Sequence, residues 1–205
     1  MWKLFAVLIL NVLPASVAYA VGADDLILDE VLRKISLIST SEKADVRPFN
    51  HPDGSIVVVV FTSVNCPVAN TLVPEIRRVH TQAKAVGGSM YLVHPSRTVS
   101  IEKMRTHGKE RKLQMPIFHD PKHRLVECLK ATTTPEAFVL RREGDQWVIV
   151  YRGLIDDLYA DVGRRRRNAS QFYVREAIVS AAAKKTVEIK KRSPIGCLIE
   201  RGVAK

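Results

Sequence analysis

Cysteine is scarce in this chain, with three among 205 residues. So few exclude a disulfide-dense mini-scaffold, and an odd number leaves at least one unpaired within the chain. Long apolar runs are missing too. The first twenty residues hold one of about ten residues, and no other window approaches the roughly 20 that a membrane-spanning helix needs. There is no glycine-rich phosphate loop, no Ser/His/Asp order, no dinucleotide fingerprint and no internal repeat, so neither nucleotide-dependent nor serine-triad chemistry has a motif to stand on. What is present is ordinary: 46% apolar and 26% charged residues, the balance of one globular domain.

The amino terminus reads as an export signal. Lys3 supplies the short positive region, Leu4 to Leu10 the apolar stretch, and Ala18-Tyr19-Ala20 a small-x-small cleavage site. Residues 1–20 are therefore expected to be removed, leaving no stable membrane span and placing the protein outside the cytosol, in the periplasm or secreted. In such a compartment every cysteine can enter a disulfide.

The formal net charge of +11 is unevenly placed. From Arg164 to Lys205 twelve Lys or Arg face three acids, whereas Val21 to Gly163 is almost neutral. The run Arg164-Arg165-Arg166-Arg167 has two readings, a solvated basic face or a dock for an acidic partner or anionic surface. Aromatic residues are not interleaved in it as a base-stacking platform needs, so nucleic acid is not expected as a partner.

Along the body, Leu28, Val31, Leu32 and Ile35 repeat at helical spacing, which predicts a leading helix within Asp24–Ile38. Arg47 to Ser55 is turn-rich, with Pro48, Pro52 and Asp53-Gly54. Ile56 to Phe61 is a continuous β-branched run, the pattern of a central strand buried on both faces. Val68, Leu72, Ile76, Val79 and Ala83 then form one helical stripe, kinked where Pro74 interrupts it. Met90 to Val93 reads as a strand, Val99 to Leu113 as a polar helix and Ile117-Phe118 as a short strand. Asp120 and Pro121 read as the cap and first residue of a helix through Leu129. A hairpin follows, Ala137–Leu140 and Trp147–Tyr151 around Arg142-Glu143-Gly144-Asp145, and Ser170 to Lys184 closes with a helix. Helices between strands, then a terminal hairpin and helix, predict an α/β fold with a mixed central sheet flanked by helices and a basic C-terminal extension.

The chemically informative residue is Cys66, in Thr62-Ser63-Val64-Asn65-Cys66-Pro67, where a buried strand gives way to a helix. Backbone N–H groups left unpaired at a helix start favour thiolate over thiol, and the thiolate is the nucleophile. A buried structural thiol is the other reading of the same placement. Thr134-Pro135 opens a later strand, where a proline marks an edge, a first strand position or a cis turn.

These features together resemble the thioredoxin-like superfamily, and more specifically its redoxin branch (alkyl hydroperoxide reductase/thiol-specific antioxidant) as found in exported bacterial proteins. The resemblance rests on Asn65-Cys66-Pro67-Val68-Ala69-Asn70, Thr134-Pro135-Glu136-Ala137-Phe138, Tyr151 to Asp157 and Gly196-Cys197, and covers roughly Arg47 to Glu200. It implies a redoxin domain over residues 47–185, after a leader-helix region at 21–46 and before a basic tail at 186–205 carrying Cys197. It also implies a thiol-dependent oxidoreductase, peroxiredoxin-like or disulfide-exchanging. Cys66 would be its nucleophile, and Pro67, Thr134 and the cis-proline Pro135 would shape the substrate side. The chain departs from the thioredoxin pattern at Ala69, where a second cysteine belongs. It departs from the peroxiredoxin pattern at Val59, where a proline belongs, and Ser63 fills the hydroxyl position. A peroxide or disulfide would be the substrate and an external thiol the reductant. The alternative is a non-catalytic binding module that docks through its basic segment.

Cys197 has three readings: a thiol that resolves an intermediate on Cys66, half of a structural disulfide, or a free or intermolecular thiol. Cys128, among Leu125, Val126 and Leu129, reads as core packing. Asp156-Asp157 reads as a turn and cap, with tuning of a nearby thiolate as the other possibility. Pro121 separates His119 from His123, and Asn70 stands where exported copper-chaperone relatives of the fold carry a second cysteine. No metal and no cofactor is expected.

Overall fold

The computed structural model describes residues 23–50 and 54–201, with side chains from residue 28 onward. The expected signal segment and the Pro52-Asp53 turn lie outside the described residues. In chain order the elements are α1 (Ala23–Lys34), β1 (Leu37–Ser39), β2 (Asp45–Val46), β3 (Ile56–Phe61), α2 (Pro67–Thr71), α3 (Val73–Ala85), β4 (Ser89–His94), α4 (Ile101–Glu110), β5 (Ile117–His119), α5 (Arg124–Leu129), β6 (Thr133–Thr134), β7 (Glu136–Glu143), β8 (Gln146–Gly153), β9 (Tyr159–Asp161), β10 (Arg164–Arg165), α6 (Tyr173–Ala182) and β11 (Cys197–Leu198).

Seven strands form a mixed sheet in the order β2-β1-β5-β4-β3-β7-β8. The β3–β4 and β4–β5 pairs are parallel and β3–β7 and β7–β8 antiparallel. All six residues of β3 are buried. Ile56, Val58 and Val60 pack toward α3 and α6 with Leu72, Ile76, Val79, Val174 and Ile178. Val57, Val59 and Phe61 pack toward α1 and α5 with Leu32, Leu125, Leu129 and Phe138. The β-branched run is continuous because each alternate side chain meets a helical layer. Fully burying a side chain of this size stabilises by roughly 1.5–3 kcal/mol, so β3 is the seat on which the following loop rests.

The structure corrects several boundaries. The leading helix ends at Lys34, and Leu37–Ser39 instead forms a strand between β2 and β5, whose Ile38 and Ser39 pair with His119 and Phe118. The stripe from Val68 to Ala83 belongs to two helices divided at Leu72, with Pro74 in the first turn of α3. Asp120 does cap a helix, its carboxylate accepting N–H bonds from Arg124, Leu125 and Val126. That helix starts at Arg124, not Pro121, because His123 takes a left-handed conformation at φ 55°. The strands of the hairpin run through Arg142-Glu143, so the turn shrinks to Gly144-Asp145.

The C-terminal segment, as far as Arg201, is fastened to the fold by backbone and side-chain contacts. Arg152 N–H donates to Lys190 O and Arg192 N–H to Arg152 O, each at 3.0 Å. Val187 and Ile199 are buried, and Ile199 N–H donates to Thr132 O at 2.9 Å. Arg201 reaches Ala131 O at 3.0 Å. Two glycines permit this close approach. A Cβ on Gly153, whose φ is +126°, would lie 1.7 Å from Arg192 O, and one on Gly196 would lie 2.1 Å from Thr134 O.

Candidate active site

Cys66 follows the short turn that ends β3. Its N–H donates to Ser63 O at 3.2 Å, and its carbonyl accepts Asn70 N–H at 3.0 Å as α2 begins. Its backbone is extended, with φ −84° and ψ 114°, the conformation of a residue preceding a helix, and Pro67 occupies the first turn. The helix it opens is only five residues long. Placement at the strand-to-helix junction is therefore as expected, while the environment of the sulfur comes mostly from elsewhere in the chain.

Two distant segments close over the sulfur. The Thr134–Pro135 peptide bond is cis, and the Cys66 thiol lies 3.0 Å from Thr134 O, which accepts from it. On the outer side β11 pairs antiparallel with β6, with Cys197 opposite Thr134 and Leu198 opposite Thr133. Thr134 Oγ1 donates to Cys197 O at 3.3 Å. This register carries the Cys197 thiol to 2.7 Å from Cys66 Sγ, to which it donates. A disulfide bond is about 2.05 Å long, so closing one needs less than an ångström of approach.

The two thiols differ in ionisation. For Cys66, burial is the largest single influence and opposes ionisation. It is outweighed by hydrogen bonds from the Cys197 thiol, the backbone N–H groups of Ala69 and Cys197, and Thr134, so the pKa falls below its ordinary value. For Cys197, burial first and then the hydrogen bond and charge of Cys66 push the value up to about 11. Of the two thiols, Cys66 is therefore the one that ionises at the lower pH. Access runs the other way, because Cys66 is 1% exposed while Cys197 is partly open.

The remaining expectations divide. Ser63 lies in the turn, where its hydroxyl accepts Asn65 N–H at 3.3 Å, so it shapes the loop. Pro67 is exposed at the rim, and Thr134 and Pro135 stand beside the sulfur. Cys128 packs against the apolar cluster under α1 and α5, and burial pushes its pKa up to about 11. Asp157 accepts N–H bonds from Ser170 and Gln171, and Asp156 accepts one from Leu158, so both hold the loop after β8. His119 and His123 bond separately to Ser96 O and Pro95 O. Among the described residues no group of three His, Cys, Asp or Glu is placed to hold a metal ion.

Sequence reasoning missed Glu136, which follows the cis-proline and is fully buried. Its carboxylate accepts Thr132 N–H at 2.7 Å and meets Arg152 at 3.2 Å, stapling the 132–136 loop to β8. A carboxylate directly after Thr-Pro, with an arginine in the paired strand, was the available signal. Also unforeseen was Asn70, whose amide bridges Val64 O and His107 Nε2 and so fixes α2 to α4. A cleft of about 980 Å³ lies elsewhere, between α4 and the edge formed by β1 and β5, and none of the three cysteines lines it.

The model of the AhpC/TSA family matches residues 35–152. No curated protein matches the chain. Among solved structures, an uncharacterised conserved protein from Geobacillus kaustophilus is similar at TM-score 0.71 and 20% identity, covering 83% of this chain and 90% of that one. A hypothetical protein from Sinorhizobium meliloti 1021 also reaches 0.71, at 18% identity and coverages of 84% and 94%. A secreted Mycobacterium tuberculosis disulfide oxidoreductase homologous to E. coli DsbE aligns at 0.51 and 14% identity, over 76% of this chain and 98% of that one. At such identities the likeness speaks for the fold, which is thioredoxin-like.

Proposed function

The chain belongs to the AhpC/TSA family, and on that premise we propose that it is a thiol oxidoreductase that exchanges disulfides by interconverting the Cys66–Cys197 dithiol and disulfide. One observation carries this reading: two cysteines 131 residues apart bring their sulfurs to 2.7 Å, one with a lowered and one with a raised pKa. Cys197 takes the part that a second cysteine at Ala69 would otherwise play.

In the reaction, the Cys66 thiolate attacks one sulfur of a substrate disulfide, forming a mixed disulfide and expelling the other substrate sulfur as thiolate. Cys197, once deprotonated, attacks the Cys66 sulfur and expels the second substrate sulfur. The substrate gains two electrons and the protein is left with a Cys66–Cys197 disulfide. In regeneration an external thiolate meets Cys197, the more exposed sulfur, and expels Cys66, whose lower pKa makes it the better leaving group. A second thiol then attacks the external sulfur and frees Cys197. Because Cys66 is covered, the segment carrying Cys197 swings aside for substrate and returns to resolve the intermediate. The amino-terminal signal pattern supports the same use, since an exported dithiol meets disulfides rather than a reducing pool.

Disulfide exchange is preferred to peroxide reduction because the Ser63 hydroxyl is engaged by Asn65 N–H and Val59 replaces the proline of the peroxidase pattern. The test is to mix the reduced protein with bis(2-hydroxyethyl) disulfide or with hydrogen peroxide and map the products by mass spectrometry. Rapid formation of the Cys66–Cys197 bond from the disulfide is expected, with a trapped adduct on Cys66 in Cys197→Ser and none in Cys66→Ser. Faster oxidation by peroxide through a Cys66 sulfenate would reassign the substrate. Labelling independent of Cys66 would end the proposal.

A further inference from the structure

Two basic runs far apart in the sequence, Arg164–Arg167 and Lys190–Arg192, are tied by backbone hydrogen bonds to Leu158 and to Arg152, respectively after and before the end of β8, and every residue in both is exposed. The first lies on and just after the β9–β10 hairpin, whose tip carries Val162 at 74% exposure. That excursion from β8 is held in place: Asp157 accepts from Ser170 N–H at 2.6 Å and Ser170 hydroxyl at 2.7 Å, and Arg166 N–H donates to Leu158 O at 2.7 Å. The second run lies along Arg152 by backbone hydrogen bonds. Its Arg192 guanidinium sits 5.2 Å over the ring of Tyr173, the residue that opens α6 directly after the excursion.

The second run borders the last residues of β8, the first is tied to Leu158 five residues further on, and that end of β8 is the dithiol's end of the sheet. Gly153 pairs with Ala137, two residues beyond the cis-proline, and Cys197 follows Arg192 by five residues and pairs with Thr134. Little of this charge is neutralised internally. Among the described residues the ion pairs of these seven side chains come down to Arg166 with Asp157 at 3.8 Å. Of the nearby acids, Asp161 accepts Val162 N–H and Glu176 accepts Phe172 N–H, each holding its own backbone, and Glu188 is exposed.

We infer that these two runs dock the protein with which the dithiol exchanges, and that the docking face of that partner is acidic. The inference rests on the disulfide-exchange reading and names its partner class. Arginine is suited to the task because its planar fork takes a carboxylate through two hydrogen bonds, and arginines beside an exposed apolar residue are the composition of a protein contact. A carboxylate-rich partner held here presents its sulfur to the Cys66–Cys197 pair. An anionic lipid surface would satisfy the same charge with no sulfur to deliver.

The experiment uses two cysteine peptides of equal length as their symmetric disulfides, one flanked by glutamates and the other by lysines, with bis(2-hydroxyethyl) disulfide as the neutral control. Oxidation of the reduced full chain is followed by loss of free thiol. The glutamate peptide should react about ten-fold or more faster than the lysine peptide at low salt, with the gap closing near 0.5 M salt. The triple variant Arg164→Ser, Arg165→Ser, Arg167→Ser should lose the preference while its rate with the neutral disulfide stays unchanged. Equal rates for the two peptides, or a preference that survives in the triple variant, overturn the inference. So does tighter arginine-dependent binding to phosphatidylglycerol vesicles than to the glutamate peptide. If the neutral disulfide fails to react, the exchange reading falls separately. The docking is then judged by equilibrium binding of the glutamate peptide with serine replacing its cysteine, whose salt-sensitive retention supports the surface and whose absence refutes it.

Discussion

The two sulfurs of the site are held by opposite means. Cys66 follows β3, a strand of six buried residues inside a seven-stranded sheet, with core clusters on both faces. Cys197 sits on a two-residue strand paired with another two-residue strand, fastened by backbone hydrogen bonds, two buried side chains and a pair of glycine contacts. Apolar burial distributes stabilisation over many atoms, so the seat of Cys66 yields only with the core. The strap carrying Cys197 depends on few contacts and belongs among the parts that open locally. The exchange proposed above calls for this difference, a fixed nucleophile at Cys66 and a partner in Cys197 that leaves while substrate binds and returns afterwards.

Acid should strike the seat hardest. His94 at the end of β4 is 1% exposed, and among the described residues neither ring nitrogen has a hydrogen-bond partner. Burial, with His107 and His119 beside it, lowers its pKa to about 3. Above its ordinary value, near 6.5, neither the folded nor the unfolded chain protonates the ring, and the native state keeps its full stability. As the pH falls from 6.5 toward 3 the unfolded chain binds a proton that the native ring refuses, so stability drops by up to about 1.4 kcal/mol per pH unit. Denaturation midpoints measured between about pH 7 and 4 should fall, and less steeply in His94→Leu. An equal slope in that variant would remove His94 as the cause.

Substitution of either strap glycine should leave the seat standing and loosen only the strap. Gly153→Ala meets both a φ of +126° and a backbone oxygen 1.7 Å from the new Cβ, and Gly196→Ala meets one at 2.1 Å. A cost of about 1–3 kcal/mol is expected for each, larger at Gly153 where conformation and contact both oppose the methyl group. Native-state hydrogen exchange should quicken at Ile199 and Arg192, and Cys66 should alkylate faster as its cover lifts. Unchanged protection of Ile199 would mean that the strap is held by more than these contacts.

The smallest effect belongs to the third cysteine. Cys128, half-buried against an apolar cluster and pushed up to about 11, is neutral at working pH. Alkylation followed against pH should give Cys66 the lowest midpoint of the three, and Cys128→Ser should leave exchange rates within about two-fold, as expected for a residue outside the reacting pair. A midpoint for Cys128 at or below that of Cys66 would erase the distinction drawn between the two environments.

Much of the fold was legible because its signals are local. Six consecutive β-branched or aromatic residues mark β3, the Val68–Ala83 stripe marks the helices after it, and Thr134-Pro135 marks the turn that proves cis. Boundaries failed where tertiary contacts outweighed periodicity. Leu37 and Ile38, expected at the end of the leading helix, belong to a strand that pairs with β5, and the left-handed His123 delays to Arg124 the helix expected to open at Pro121. Ser63 matched a motif position, and in the fold its hydroxyl accepts Asn65 N–H within the turn before Cys66. Glu136 was passed over because a buried carboxylate cannot be told from an exposed one until its partner, Arg152, is placed.

By itself the sequence determined that a cysteine would stand where a buried strand becomes a helix, since strand, junction and helix are each written in neighbouring residues. It also determined that positive charge would crowd the C-terminal part of the chain. Which thiol would face Cys66 was decided only by the tertiary structure. That pairing spans 131 residues, and it depends on Gly153 and Gly196 letting one backbone press against another. Contacts of this kind arise when distant segments share space, and periodicity along the chain carries no record of them.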